Sequence, residues 1–307
     1  MTAAVGSCTL NHQAFLYGSP DEFVRGMGPF AMAALERGDA VFAASKRPNV
    51  DALREHLGAD AQSVQLEDTK EWMTRPFERL QAFKQAVADL SPGQSLSAMG
   101  EPVWDGSPAV VRQWARYESI INLALASAPM RFICLYDSSA LPDRILDYAV
   151  ETHPEQVTLD GRCLPCDTFV DPHRFTAGAA AAAPTEAIPL PLDGGEMRRA
   201  LAAYARSEGV VGERLDELLL ATSEVMANAF RHGGEPIEAC AWANERELVC
   251  QVGDSGPGIG DPLAGWLPPT DMAIGGWGLP IARQLADAVE IASPEAGATV
   301  TLYFCRR

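Results

Sequence analysis

Along the first half of the chain, short apolar runs alternate with helix-length amphipathic stretches. Ala14 to Tyr17 (AFLY) is apolar throughout and closes on Gly18-Ser19-Pro20, where Ser19 is placed to cap a helix carrying Phe23, Met27, Phe30, Met32 and Leu35. Gly38-Asp39 stops that helix and AVFAAS begins a second strand. The alternation continues with a helix from Asn49, a strand around VQL, a helix from Arg75 to Leu90, a strand SLSAM, a helix from Pro108 to Ala128, a strand RFICLY and a helix from Pro142 to Glu151. Strands separated by such helices predict right-handed crossovers and a mostly parallel sheet covered on both faces, an α/β sandwich.

From Thr176 the texture changes. TAGAAAAAPTEAIPLPLDGG is Ala- and Pro-rich with little charge, which predicts a linker over 176–187 between a first domain (1–175) and a second (188–307). IPLPL reads as the first strand of the second domain, and a helix follows from Glu196 to Ser207. The stretch from Glu213 to Gly234, ERLDELLLATSEVMANAFRHGG, is the most strongly patterned of all. At 3.6 residues per turn, Leu215, Leu218, Leu219, Thr222, Val225, Met226 and Ala229 share one face, and Glu217, Glu224, Asn228, Arg231 and His232 gather opposite. Glu224 and Asn228, four residues apart, stand one above the other, where both can reach a single ligand or ion. Taken alone, such a pair reads more simply as a solvated face.

Downstream, IEACAWAN and ELVCQVGD flank a polar turn at Asn244-Glu245 and predict an antiparallel hairpin. The second run delivers Asp254 at a strand end, followed by glycines at 256 and 258 that let backbone approach a planar ligand. The segment from Asp261 to Ile274 reads as too polar and irregular for core. Gly275-Gly276-Trp277-Gly278 then leads into the helix PIARQLADAVEI, exposing free N–H groups suited to a phosphate chain. AVEIAS and ATVTLYF form a last hairpin.

Composition narrows the function. Lys and Arg number 24 against 41 Asp and Glu, a formal charge of -17, which argues against binding a nucleic-acid backbone. No apolar run is long enough to span a bilayer and no secretory leader is evident, so a cytoplasmic protein with no membrane partner is expected. Seven cysteines, an odd number, suit reduced thiols rather than a disulfide framework. Cys134, Cys240, Cys250 and Cys305 sit in strand-like runs and read as core. Cys163 and Cys166 form CLPC in a polar segment with His153 and His173 flanking, and Cys8 and His12 stand four apart; a metal site, a redox pair and incidental surface thiols are all open.

In a parallel sheet, ligands bind beyond the carboxyl ends of the strands. Tyr17-Gly18-Ser19, Ser45-Lys46-Arg47, Gly100 to Trp104 and Asp137-Ser138-Ser139 fall there, with no GxxxxGK[ST] phosphate cradle among them. HQAFLYGSPDEF, DAVFAASKRPNVDALREHLG, MGEPVWDG, RYESIIN and FICLYDSSALP together resemble the MEDS sensory domain, a relative of the RecA-like sheet, over residues 10–160. The resemblance implies a module that senses a small-molecule or other signal ligand; Trp104, Tyr117 and Glu118 are equally readable as packing and cap residues.

ExxxN on a helix, DxGxG after a strand and GxG before a helix resemble the ATP-binding boxes of the GHKL (Bergerat) fold, an α+β sandwich. SEVMANAFRHG is similar to the anti-sigma factor serine kinases within it. That resemblance implies ATP and Mg2+ as cofactors. Asn228 would ligate Mg2+, Asp254 would accept from the adenine amino group, Gly256 and Gly258 would pass the base, Gly276 and Gly278 would cover the phosphates, and Glu224 would be the general base. Arg231 and His232 could contact phosphate or simply complement the helix dipole. The implied activity is a serine/threonine protein kinase acting on an anti-anti-sigma (STAS) partner, with a sigma factor as a second partner and a homodimer as the assembly. A non-catalytic ATP-binding switch and a metal or redox sensor centred on Cys163 and Cys166 are the alternatives. A histidine kinase is disfavoured, because neither His153 nor His173 lies on a convincing amphipathic helix of the kind that carries a phosphoacceptor.

Overall fold

A computed structural model of the chain describes residues 9–72, 75–176, 181–269, 276–293 and 297–306. The chain divides into two compact units, one built from residues up to Trp104 together with Trp114–Pro172, the other from Asp105–Gln113 together with His173 onward. Among the described residues, no helix is long and apolar enough to cross a membrane.

The first unit runs β1 (Asn11–Tyr17), α1 (Pro20–Glu36), β2 (Ala40–Ser45), α2 (Arg47–Leu57), β3 (Val64–Asp68), α3 (Thr69–Trp72), α4 (Pro76–Ala88), β4 (Leu96–Gly100), α5 (Pro108–Ala124, its residues up to Gln113 counted with the second unit), β5 (Met130–Asp137), α6 (Asp143–Thr152), β6 (Glu155–Val157) and β7 (Cys163–Pro165). The sheet order is β3-β2-β4-β5-β1-β6-β7, parallel except for the antiparallel pair β6 and β7. Helix α1 begins as its sequence dictates: Ser19 Oγ accepts from Glu22 N at 3.2 Å and Pro20 occupies the first turn. Its buried stripe is Phe23, Met27, Ala31 and Ala34, with Phe30 and Leu35 at the margin. Met32 lies off that stripe and is exposed. The small hairpin of β6 and β7 is the main element the sequence pattern does not show, since strands of three residues are too short to display alternation.

The second unit contains α7 (Pro172–Thr176, shared at its first residue with the first unit), β8 (Ile188–Pro189), α8 (Gly194–Ser207), α9 (Gly212–His232), β9 (Glu238–Ala243), β10 (Glu247–Asp254), α10 (Gly278–Leu285), β11 (Ala288–Ala292) and β12 (Ala298–Cys305). Its sheet is antiparallel, ordered β11-β12-β10-β9-β8. Both expected hairpins form, β9 with β10 and β11 with β12. IPLPL yields only a two-residue strand, because a proline cannot donate to the ladder. Leu215, Leu218, Val225 and Met226 of α9 pack with Met197 and Leu201 of α8 and with Leu248, Val252, Val300 and Leu302 of the sheet in one core. Full burial of each such side chain contributes about 1.5–3 kcal/mol, so packing rather than helix propensity holds α9 in place.

Candidate functional site

The apolar stripe of α9 that faces the sheet fixes what its other side presents. With Leu218, Ala221, Val225 and Ala229 buried, Glu224 and Asn228 are half-buried at the edge of the core, and Arg231 and His232 are exposed at the helix end. Asn228 lines a cavity of about 280 Å3 with Asp254, Gly258 and Gly276, so four of the seven predicted nucleotide-site residues meet there. His232 lines it too, whereas Glu224 is not part of its wall. The remaining lining is largely apolar, from Val225, Ala229, Val252, Ile259, Leu279 and Val300. Such a slot, with one carboxylate in its wall, suits a flat heterocycle.

Asp254 is held by the turn that follows it. Gly256 N donates to its Oδ1 at 2.9 Å, and Ser255 N donates to Gly234 O at 2.8 Å, tying the strand end to the end of α9. The approach is so close that a Cβ on Gly233 would lie 2.6 Å from Asp254 Cγ, and one on Gly256 would lie 2.7 Å from Gly233 Cα. Gly258 has φ +82, and a Cβ there would come within 2.4 Å of Ser293 Oγ. This position therefore requires glycine twice over.

Helix α10 starts at Gly278 after Trp277, with no side-chain cap on its first N–H groups. Those donors remain for an anion. Gly278 faces α9 directly, since a Cβ would meet Asn228 Nδ2 at 2.6 Å. Gly256 and Gly278 thus border the site without lining the cavity. Gly275 and the end of the Asp261–Ile274 segment lie outside the described residues. The earlier part of that segment is not all surface. Trp266 is 1% exposed and Arg283 stacks over its ring at 4.5 Å, so a single large aromatic anchors a segment whose average composition reads as polar.

In the first unit, the residues beyond the strand ends form a closed polar network. Tyr17 OH donates to Glu101 Oε1 at 2.9 Å, Ser45 Oγ to Glu101 Oε2 at 2.5 Å, and Asn49 Nδ2 to both Tyr17 OH (2.8 Å) and Ser45 Oγ (2.9 Å). Lys46 Nζ reaches Asp137 Oδ2 at 2.6 Å and Glu101 Oε1 at 3.3 Å. Burial raises the Asp137 carboxyl, but hydrogen bonds from Lys46 and Ser139 outweigh it and hold the group below the usual carboxylate range. Burial, with Glu101 alongside, pushes the Tyr17 phenol up. Gly18 N, where a phosphate cradle would begin, is taken by Glu22 Oε2 at 2.7 Å. Trp104, Tyr117 and Glu118 are all buried.

Of the cysteines expected in the core, Cys134 and Cys250 are buried, and burial pushes the Cys250 thiol up to about 12; Cys240 and Cys305 are half-buried. Cys163 is exposed on β7, where Gln13 Nε2 lies 3.1 Å from its sulfur, and Cys166 is half-buried. The one group of convergent His, Cys, Asp and Glu donors among the described residues contains neither, and Cys8 lies outside them. His12 and His153 fall instead in that group, with Glu118 and Cys134.

Residues 11–154 match the family described as MEDS, the methanogen/methylotroph, DcmR sensory domain, and residues 191–304 match the histidine kinase-like ATPase domain. The chain joins a MEDS domain to a histidine kinase-like ATPase domain. No curated protein matches it. Among solved structures, the RsbU and RsbW domains of Rv1364c from Mycobacterium tuberculosis align at 23% identity and a TM-score of 0.30 over 41% of this chain and 34% of that one. The chain therefore spans about a third of the length of that structure. The histidine kinase domain of a blue-light activated kinase from Erythrobacter litoralis EL346 aligns at 19% identity and TM-score 0.25 over 43% of this chain and 74% of that one. That of the E. coli osmosensor EnvZ aligns at 18% and 0.26, over 42% and 93%. In the ATPase domain, the sequence misses the apolar walls of the cavity and Gly233-Gly234. The double glycine directly after a helix was the available signal for close approach; Val252 and Val300 reach the cavity only through strand pairing.

Proposed function

We propose that the ATPase domain binds Mg-ATP and transfers the γ-phosphoryl group to a serine or threonine of an anti-anti-sigma (STAS) protein, under the control of a signal received by the MEDS domain. The observation that carries this reading is the meeting of Asn228, Asp254, Gly258 and Gly276 around one largely apolar cavity, between the end of β10, the face of α9 and the uncapped start of α10. Asp254 keeps one oxygen beyond its bond from Gly256 to accept from the adenine amino group. Val225, Ile259 and Val300 exclude water around the ring.

Asn228 presents a carboxamide against the space that Gly278 leaves open, and its oxygen is a donor of the hard type Mg2+ accepts. Bound there, Mg2+ would neutralise charge on the nucleotide phosphates. Glu224, one helical turn before Asn228, is the general base that takes the proton of the attacking hydroxyl. Serine or threonine as acceptor is favoured over an internal histidine because His153 is buried and His173, though exposed, stands on α7, a helix of only five residues. The domain boundary implied is the segment 176–187, between the two matched families.

The test is to incubate the full-length chain and Mg-ATP with STAS proteins of the same proteome and map phosphorylated residues by mass spectrometry. Phosphoserine or phosphothreonine on a STAS protein, absent with Glu224→Ala, is expected. ATP binding without phosphorylation of any STAS protein would leave a non-catalytic switch and overturn the kinase reading.

A further inference from the structure

The first unit holds a second constellation, which the ATPase chemistry does not use. His12 on β1, Glu118 on α5, Cys134 on β5 and His153 at the end of α6 are far apart in sequence, yet their ligand atoms all lie within 4.8 Å of one another. All four are buried, at 4%, 0%, 0% and 0% exposure.

The surrounding hydrogen bonds decide which ring nitrogens carry protons. Asn122 Nδ2 donates to the carbonyls of Ser119 (3.0 Å) and Thr152 (2.9 Å), which leaves its Oδ1, 3.1 Å from His12 Nδ1, as an acceptor. The carbonyl of Ala149, which can only accept, lies 2.8 Å from His153 Nδ1. Both histidines therefore donate through Nδ1, and a neutral imidazole held in this way turns its Nε2 lone pair inward. What those lone pairs face is another acceptor: Glu118 Oε2 lies 3.5 Å from His12 Nε2 and 3.4 Å from His153 Nε2. Cys134 Sγ lies 3.3 Å from His12 Nε2. Neither Glu118 oxygen nor His153 Nε2 finds a hydrogen-bond partner among the described residues. Buried acceptors aimed at one another are costly unless a cation lies between them.

The spacing identifies the kind of cation. A tetrahedral ion with bonds of about 2.0–2.1 Å to nitrogen and oxygen and about 2.3 Å to sulfur has donor-to-donor edges of roughly 3.3–3.6 Å. Three of the six donor-to-donor separations, at 3.3, 3.4 and 3.5 Å, fall in that range, and all six lie within 4.8 Å. A thiolate and a carboxylate with two neutral imidazoles cancel a double positive charge, which suits a dry interior. Two nitrogens and a soft sulfur select transition metals over Mg2+ or Ca2+. Asn122 and the Ala149 carbonyl are the outer partners that orient metal-bound histidines.

We propose that the MEDS domain binds one divalent transition-metal ion of the zinc class through His12 Nε2, Glu118, Cys134 Sγ and His153 Nε2, with Asn122 as a positioning residue. Cys134 gives up its thiol proton to solvent as the ion enters. The site is distinct from Cys163 and Cys166, so the metal belongs to the buried face of β1 and β5 rather than to the CLPC hairpin.

The experiment uses the full-length chain. Elemental analysis of protein purified from zinc- and iron-supplemented cells is expected to give close to one metal per chain, and the chelator-stripped protein is expected to take up Co2+ with a thiolate-to-cobalt charge-transfer band. Cys134→Ser should abolish that band. Asn122→Ala should weaken the metal about 10- to 100-fold, and the Cys163→Ser/Cys166→Ser double variant should bind as wild type does. Should Cys134→Ser fail to fold, the wild-type cobalt spectrum decides by itself. Protein that is metal-free and takes up no Co2+, a cobalt spectrum without a thiolate band, or metal that disappears with Cys163 and Cys166 would each overturn the proposal.

Discussion

Gly278 stands so close to Asn228 that a Cβ on it would lie 2.6 Å from the Asn228 amide nitrogen. The start of α10 thus comes up against the side chain of Asn228 in the last turns of α9, which an added Cβ would push aside. Gly278→Ala should displace the Asn228 side chain and weaken ATP binding at least about tenfold, a cost near 1.4 kcal/mol. Helix stability should not fall with it, because alanine at the first position of α10 favours the helix by up to about 1 kcal/mol. Calorimetric titration beside thermal unfolding checks this split.

Glu224 is half-buried on the same face of α9 but outside the cavity wall. Glu224→Ala should therefore leave ATP affinity near wild type while phosphoryl transfer falls by about 10²- to 10⁴-fold, the usual contribution of a general base. Single-turnover phosphorylation of a STAS protein measures the one and equilibrium nucleotide binding the other.

Asp254 keeps a free acceptor oxygen because Gly256 N occupies only Oδ1. In the proposed site, an acceptor there would select the amino group of adenine over the carbonyl of guanine. Asp254→Asn should cost ATP binding about 1–3 kcal/mol and narrow the preference for ATP over GTP, as competition with a fluorescent ATP analogue will read.

Leu218 is fully buried between α9 and the sheet. Leu218→Ala should destabilise the ATPase domain by about 2–5 kcal/mol through lost burial and the cavity left behind. Denaturant unfolding followed by the signal of Trp242 and Trp266 will register it.

The Lys46 to Asp137 pair carries a pH signature. Asp137 is held below its ordinary value in the folded protein, so its contribution to stability is present above the unfolded carboxylate pKa, near 3.9, and is lost as pH falls through the lower folded value. In Lys46→Met that depression weakens, and the acid-side loss of stability should be shallower than in wild type below about pH 4. Paired thermal melts from neutral to acid pH test the sign.

Much of the fold was legible because the patterns were long. The helices of α1, α5 and α9 each span several turns, and β5 and β10 each deliver eight residues, enough to reveal their period. The hairpin of β6 and β7 stayed hidden, with three residues per strand. The residues proposed for the ATP site stand out in the sequence for another reason: Asn228, Asp254 and Gly278 each sit at an element end or on one helical face, where a short motif fixes position. The buried group of His12, Glu118, Cys134 and His153 has no local signature at all. Its members come together only when β1 pairs with β5 and α5 and α6 fold over them, and in the sequence Cys134 looks like any other small residue of a strand.

Whether α9 forms the phosphate and metal edge of a nucleotide site is read by titrating Mg-ATP into the full-length wild type and into Asn228→Ala. Saturable, Mg2+-dependent binding to wild type and loss of that binding in the variant are expected, with an unchanged melting temperature in the absence of nucleotide. Equal affinity in the two proteins would contradict this role for α9.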